Sequence, residues 1–287
     1  MRKTIAIISC LFLLFSGCGE KNNERQQPGN SSVPATDEVK VTVLDIGKAD
    51  CIVIQTKMHT IMIDTGEKNN ADEIEEYLNQ EGITHIDYLE LTHYDKDHIG
   101  GLPKLLKAGV SFDTIYAYNK PVESKAYRKM TEALEEYQKE LVFVEKEQML
   151  QVDDIVLEIY PPEKEEYRND GEEDENEYSI VTKMTHGKDS FLFAADACGE
   201  RLQELPEQMD VDVDYLKVPH HGRKDDYSEE FISLTSPKYA VITCSEKNPA
   251  SNKLVREIQK ANAMDFETKD GTVAAVSTGD RITVDWQ

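Results

Sequence analysis

From Val39 onward the chain reads as short β-rich apolar runs bounded by turn residues: Val41 to Leu44, Cys51 to Ile54, and Ile61 to Ile63, which ends in Asp64-Thr65-Gly66. Asn70 to Gln80 switches to helical spacing, with Ile74, Tyr77 and Leu78 on one face. A strand over Ile86 to Leu91 then feeds a loop dense in His and Asp, followed by a helix over Leu102 to Lys107. Further strands are predicted at Thr114 to Tyr118, Leu141 to Val144 and Ile155 to Tyr160, with a helix over Ser124 to Lys139. Ile180 to Thr185 and Phe191 to Ala194 read as a hairpin around His186-Gly187-Lys188-Asp189. Helices near Glu200 to Leu205, Ser228 to Leu234 and Asn252 to Ala261 alternate with strands Tyr215 to Val218 and Tyr239 to Thr243. Short strands at Phe266, Thr272 to Ser277 and Ile282 to Trp286 close the chain. Strand groups in each half, interleaved with helices, predict two sheets packed face to face with helices outside.

Residues 1–38 follow different rules. Arg2 and Lys3 precede the apolar run Ile5 to Phe15, which has the layout of an export signal and is too short to serve as a mature membrane span. Phe15-Ser16-Gly17-Cys18 resembles a bacterial lipobox, with Phe15 where a leucine is usual, so Cys18 is expected to carry the lipid anchor. Stable attachment needs more than one acyl chain. Residues 19–38 are polar and rich in Asn, Gln, Ser, Pro and Gly, the composition of a flexible tether. The organisation expected is therefore a signal over 1–18, a tether over 19–38 and one catalytic domain over 39–287. Within that domain Cys51, Cys198 and Cys244 form no close pair and read as buried apolar residues. The acidic stretch 163–177 reads as a solvated loop, with gating of the site left open.

Charge narrows the partners. The chain has 32 Lys and Arg against 56 Asp and Glu, a net charge of −24. Proteins that hold duplex nucleic acid along a long track present basic surfaces. No stable basic nucleic-acid-binding surface is expected, and a small phosphoester is favoured over extended nucleic acid.

The segment Thr92-His93-Tyr94-Asp95-Lys96-Asp97-His98-Ile99-Gly100-Gly101 sets two imidazoles and two carboxylates within six residues, just after a strand. Donors this dense converge only around a cation. On an extended loop His93, Asp95 and Asp97 face one way while His98 turns back, so two adjacent ions could each take a pair. The two glycines are expected to permit a sharp turn into the next helix.

These residues resemble the HxHxDH motif of the metallo-β-lactamase superfamily, with Asp95 in place of the second histidine. Together with Asp45 to Asp50, Asp64-Thr65-Gly66, Asn176 to Ser179, Ala195-Asp196-Ala197 and Val218 to Gly222, the pattern is similar to the hydrolase domain of ComEC-type competence proteins over residues 39–287. The resemblance implies an α/β fold, the αβ/βα four-layer sandwich of two mixed sheets flanked by helices. It implies two divalent ions, zinc or manganese: His93 and Asp95 on one, Asp97 and His98 on the other, Asp196 bridging. His220 matches the later metal-site histidine, His221 is placed toward substrate or proton transfer, and Asp64 would orient the ligand loop without ligating. Asn176 and Ser179 stand where the first metal would find its third ligand, and Asn248 where many relatives have histidine, so one site is expected to be weak. Asp95 in place of an imidazole hardens that site and shifts preference toward manganese or magnesium.

In mechanism, Asp97 is expected to orient the attacking water, with His221 or Lys217 steadying the anionic transition state. His59, His85 and His186 read as turn or structural residues. The function expected is an extracytoplasmic metal-dependent phosphodiesterase or nuclease-like enzyme acting on DNA or another phosphoester. The alternatives are a β-lactamase-like hydrolase of esters or amides, and a non-catalytic binding lipoprotein of the same fold.

Overall fold

The computed structural model describes residues 38–169 and 172–287, so the signal segment, Cys18 and all of the tether but its last residue lie outside the described residues. The first half runs β1 (Val39–Val43), β2 (Ile52–Gln55), β3 (Thr60–Ile63), α1 (Ala71–Gln80), β4 (His85–Leu91), α2 (Lys96–Ile99), α3 (Leu102–Ala108), β5 (Ser111–Ala117), α4 (Lys125–Glu136) and β6 (Leu141–Phe143). The second continues β7 (Gln148–Val152), β8 (Ile155–Tyr160), β9 (Arg168–Asn169), β10 (Glu172–Glu173), β11 (Val181–His186), β12 (Asp189–Phe193), α5 (Gly199–Gln208), β13 (Tyr215–Lys217), α6 (Ser228–Thr235) and β14 (Tyr239–Ile242). The chain ends α7 (Asn252–Lys260), β15 (Met264–Glu267), β16 (Val273–Ser277) and β17 (Ile282–Trp286).

Two mixed sheets result. One has the order β17-β16-β1-β2-β3-β4-β5-β6, the other β15-β14-β13-β12-β11-β8-β7. Each combines an antiparallel part with a parallel run, β3 to β6 in the first and β12 to β15 in the second. Alternation along β2 shows how the layers form. Ile52 and Ile54 enter the core between the sheets, whereas Val53 joins the core under α1 and α3. Ile74, Leu105 and Leu134 cover the outer face of the first sheet, and Leu202, Phe231 and Leu254 that of the second. The sandwich is thus helix, sheet, sheet, helix, and burying each large aliphatic side chain contributes about 1.5–3 kcal/mol.

Several local expectations change. Strand β7 was not foreseen: Gln148, Leu150 and Val152 alternate with exposed or polar partners and give too weak a pattern to register. His186 is a buried strand residue rather than a turn tip, because the hairpin closes one step later through Gly187 and Lys188. Its Nδ1 lies 2.7 Å from Ser277 Oγ, which donates to Asp189 Oδ2 at 2.6 Å, fastening the hairpin to the other sheet. The acidic stretch is only partly solvated: Tyr167 and Glu177 are buried, and Glu177 Oε1 accepts the Glu200 N–H at 2.6 Å at the start of α5. Cys51, Cys198 and Cys244 are free and buried.

Glu90, on β4, is buried between the sheets and accepts a hydrogen bond from Thr182 Oγ1 at 2.6 Å. Burial pushes its carboxyl up to about 8, against the pull of the Thr182 bond. Folded, Glu90 holds its proton to about pH 8, whereas unfolded it releases it in the ordinary carboxylate range. Between those values the folded state binds more protons, so this residue makes stability fall as pH rises. Denaturant midpoints at pH 5 and pH 9 should fall more for the native chain than for Glu90→Gln, and identical pH slopes would show Glu90 to be ionised in the fold.

Candidate metal centre

The site forms where parallel strands end. β3 delivers Asp64, β4 delivers the loop Thr92 to His98, the end of β12 delivers Asp196, β13 delivers Lys217 to His221 and β14 delivers Thr243. The carboxyl ends of parallel strands are where α/β sheets gather ligand-binding loops. Gly100 and Gly101 seat the loop for a different reason from the one expected. Both have ordinary right-handed helical φ angles, of −66° and −79°. A Cβ on Gly100 would stand 2.3 Å from the Lys96 carbonyl oxygen, and one on Gly101 2.0 Å from that of Thr65. The glycines allow backbone to lie against backbone, and the Thr65 N–H donates to His98 O at 2.7 Å across that contact.

Three imidazoles are set by hydrogen bonds behind them. Thr92 Oγ1 donates its proton to Asp64 Oδ2 at 2.8 Å, so toward His93 Nδ1, 3.1 Å away, it acts as acceptor. His98 Nδ1 lies 2.7 Å from the same Asp64 Oδ2. Likewise Thr243 Oγ1 donates to Asp50 Oδ1 at 2.7 Å and accepts from His221 Nδ1 at 2.9 Å. In each ring Nδ1 is engaged from behind, which leaves Nε2 as the nitrogen aimed at the centre, where an ion would take the place of a proton.

There the atoms converge without hydrogen-bond partners: Nε2 of His93, His98 and His221 and Oδ1 of Asp196 are buried and unsatisfied. Asp196 Oδ2 lies 3.3 Å from His98 Nε2 and 3.0 Å from His221 Nε2, and Asp97 Oδ2 lies 3.7 Å from His221 Nε2. Two groups of ligand atoms, His93/His98/Asp196 and Asp97/His98/His221, each lie within 4.8 Å of one another. Unsatisfied buried polar atoms cost about 1–3 kcal/mol each, and a divalent cation held by His93, His98 and Asp196 would satisfy those three side chains. The donor set fits a metal ion. Because His98 Nε2 belongs to both groups and can ligate one ion only, the second group is the poorer of the two.

Electrostatics agree with that fit. Burial opposes charge on His98, yet the facing Asp196 and Asp64 carboxylates raise its basicity well above the ordinary imidazole value. Burial likewise opposes the Asp196 charge, and His221 and His98 outweigh it, holding the carboxyl well below its usual range. For Asp97, burial is overcome by His98 and by Lys48, whose Nζ donates at 2.9 Å, and its carboxyl falls to about 2. Burial and the His98 charge keep His93 well below the usual imidazole value.

Four assignments need correction. His221, not His220, faces the cluster. Consecutive left-handed φ angles of 46° and 53° turn the two rings apart, and His220 Nδ1 sits 2.6 Å from Asp225 Oδ2 with Arg223 Nη1 3.2 Å from its Nε2. Asp95 belongs to neither ligand group and lines the outer cavity, half-buried. His93 therefore meets His98 and Asp196 rather than Asp95. Lys217 is wholly buried, paired with Asp50 and bonded to Ala195 O at 3.2 Å, so it cannot reach substrate. Asp50 and Lys48 were not assigned roles from sequence, although both lie in the motif Asp45 to Asp50. Asn248 lines the outer cavity, and Ser179 Oγ stands 3.3 Å from the Asp196 backbone nitrogen.

Residues 44–245 match the Metallo-beta-lactamase superfamily. The chain belongs to that superfamily. Within it, the match is to competence proteins. The chain is 29% identical over 232 residues to ComE operon protein 3 of Bacillus subtilis, covering 74% of this chain and 29% of that protein. It is 28% identical over 215 residues to Recombination protein 2 of Haemophilus influenzae, covering 73% and 25%. The chain is thus similar to these competence proteins over its superfamily domain, and it spans under a third of their length. Among solved structures, the metallo-beta-lactamase fold protein YhfI from Bacillus subtilis aligns with a TM-score of 0.56 at 12% identity, over 87% of this chain and all of that one. CmlA, a diiron beta-hydroxylase from Streptomyces venezuelae, aligns at 0.51 and 14%, over 82% of this chain and 53% of that one. Both likenesses establish the fold.

Metal titration by calorimetry should separate the adjacent histidines. His221→Ala is expected to lose more than about tenfold in manganese or zinc affinity, and Asp64→Asn about 10–100-fold, as a residue orienting ligands does. His220→Ala should stay within about twofold of the native chain, and equal losses for both histidine variants would refute the assignment of His221.

Proposed function

We propose that this chain is an extracytoplasmic metal-dependent phosphodiesterase, held at the membrane through a lipidated Cys18. The reading rests on one juxtaposition. Asp97, at the edge of the ligand cluster, reaches a cavity of about 700 Å³ whose wall combines Glu67, Asp95 and Asp97 with Lys48, Lys96, Lys125 and Asn248. Cationic side chains beside a cation site suit a substrate that is anionic at the reacting centre, and a phosphodiester is such a substrate. An uncharged ester or amide gains nothing from three lysines.

His93, His98 and Asp196 would hold one divalent ion, with Asp97 and His221 available to a second; zinc and manganese both suit this mixed set. A bound ion supplies Lewis-acid polarisation of the phosphoryl oxygen and acidifies a water. The chain's own groups do the rest. Asp64 and Thr92 keep His93 and His98 in the tautomer that presents Nε2. Asp97, ionised at neutral pH, accepts the hydrogen bond that aligns the attacking water. Lys48 Nζ, 2.9 Å from Asp97 Oδ2, is within reach of a phosphate oxygen entering the same cavity. Asn248 and Lys125 line the opposite side and orient the leaving chain. The competence relatives make DNA one candidate substrate, with other phosphoesters beside it.

Bis-p-nitrophenyl phosphate hydrolysis by the chain lacking residues 1–18 should appear on adding manganese and fall by at least about 10²-fold in Asp97→Ala. Folded protein that holds metal yet gives no turnover, or that hydrolyses a chromogenic cephalosporin faster than the diester, would overturn this reading.

A further inference from the structure

A second groove, of about 560 Å³, adjoins the metal cavity on the face formed by the loop after β3, α2, α3 and the start of α4. The two share Glu67, Lys96, Lys125 and Ala126. Its lining contains six lysines, Lys68, Lys96, Lys104, Lys107, Lys125 and Lys129, and one acid, Glu67. In a chain where acids outnumber bases 56 to 32, that local reversal of sign is the opposite of what a solvated acidic surface would produce by composition. Part of the charge is spent locally: Lys96 pairs with Glu67 at 2.9 Å, Lys104 with Asp72 at 3.0 Å and Lys129 with Glu132 at 3.9 Å. Lys68, Lys107 and Lys125 have no acidic partner within 4.0 Å among the described residues, and all three are exposed.

We propose that this groove is an exosite for a single-stranded phosphodiester chain, holding the polymer by its backbone while the scissile diester lies in the metal cavity. The proposal deepens the phosphodiesterase reading, on which its link to catalysis rests. Charge rather than base identity does the binding, because the groove offers no exposed aromatic face for stacking; its apolar lining is Pro103 and Ala126. One strand fits where two do not. A duplex would carry its second row of phosphates beyond the lysines onto the acidic surface around them, and repulsion there opposes the gain. Each lysine contact with a single strand releases counterions, giving a salt slope of about −0.7 per contact.

The test measures binding of a labelled oligothymidylate to the purified chain by fluorescence anisotropy, with chelator present so that no hydrolysis intervenes. From about 50 to about 200 mM salt the log–log slope of affinity should fall between about −2 and −4, for three to six contacts among the six lysines. Lys68→Glu/Lys107→Glu/Lys129→Glu should weaken binding at least about tenfold, and the triple arginine variant should retain it. Lysine acetylation of the native chain supplies a readout that needs no variant: the oligonucleotide should protect Lys68, Lys107 and Lys125. Failure to bind, a salt slope near zero, an unchanged affinity in the glutamate variant or absence of protection would each overturn the exosite. Equal or tighter binding of a duplex of the same length would overturn the single-strand assignment. If small diesters are not hydrolysed but lysine-dependent binding persists, the exosite stands and the hydrolase reading falls.

Discussion

The direction of three imidazole protons decides what this fold can do. His93, His98 and His221 each give their Nδ1 proton to an oxygen behind them, and those oxygens are fixed by Asp64 and Asp50. Asp64 and Asp50 are buried carboxylates near one another, one at the end of β3 and the other just before β2. Each must be matched, since an unpaired buried charge costs several kcal/mol. Asp64 takes the Thr92 backbone N–H at 2.9 Å besides the hydroxyl and His98, and Asp50 takes Lys217 and Thr243. The outer carboxylates are thereby saturated from behind, and what remains unsatisfied faces inward. An ion is then the missing member of a network whose other members are already placed.

Backbone geometry shows how tightly that placement is held. Asp64, Ala195, His220 and His221 all have left-handed φ angles, between 46° and 60°. A non-glycine residue there costs of order 1–3 kcal/mol and persists only where its surroundings over-determine it. They do so here: the Asp64 N–H donates to Glu90 O at 2.8 Å and the His220 N–H to Ala195 O at 3.0 Å. The second bond ties two of the strained residues together, one following β12 and the other following β13. Four of the nine non-glycine residues with such angles among the described residues stand where parallel strands deliver ligands, while the antiparallel strands, with their alternating Val and Ile, carry the packing.

Much of this was legible in the sequence, and the failures share a cause. The meander β1 to β3, the helices with apolar residues at helical spacing, and the crowded loop after β4 were readable because each is a local pattern. The superfamily was readable because its motifs recur in order along the chain. What one-dimensional spacing does not contain is direction. Two adjacent histidines are indistinguishable in sequence, and only the double left-handed turn sends His221 inward and His220 to Asp225. Alternation on an extended loop placed Asp95 beside His93, but the chain enters α2 at Lys96, and the helix carries Asp97 and His98 to the cluster while Asp95 stays at its mouth. Lys217 reads as a lysine free to steady a transition state until Asp50, 167 positions earlier, is found against it.

The net charge misleads for the same reason. A total of −24 describes the chain as a whole, but at physiological ionic strength charges farther apart than about 8 Å are largely screened from one another. An approaching anion therefore responds to the lysines within a few ångströms, not to the sum. Lys48, Lys96 and Lys125 around the metal cavity stand among Glu67, Asp95 and Asp97, so the wall there is balanced in charge where the chain as a whole is strongly acidic. Composition speaks against a wide basic track, while the fold gathers six lysines around one groove beside the cavity.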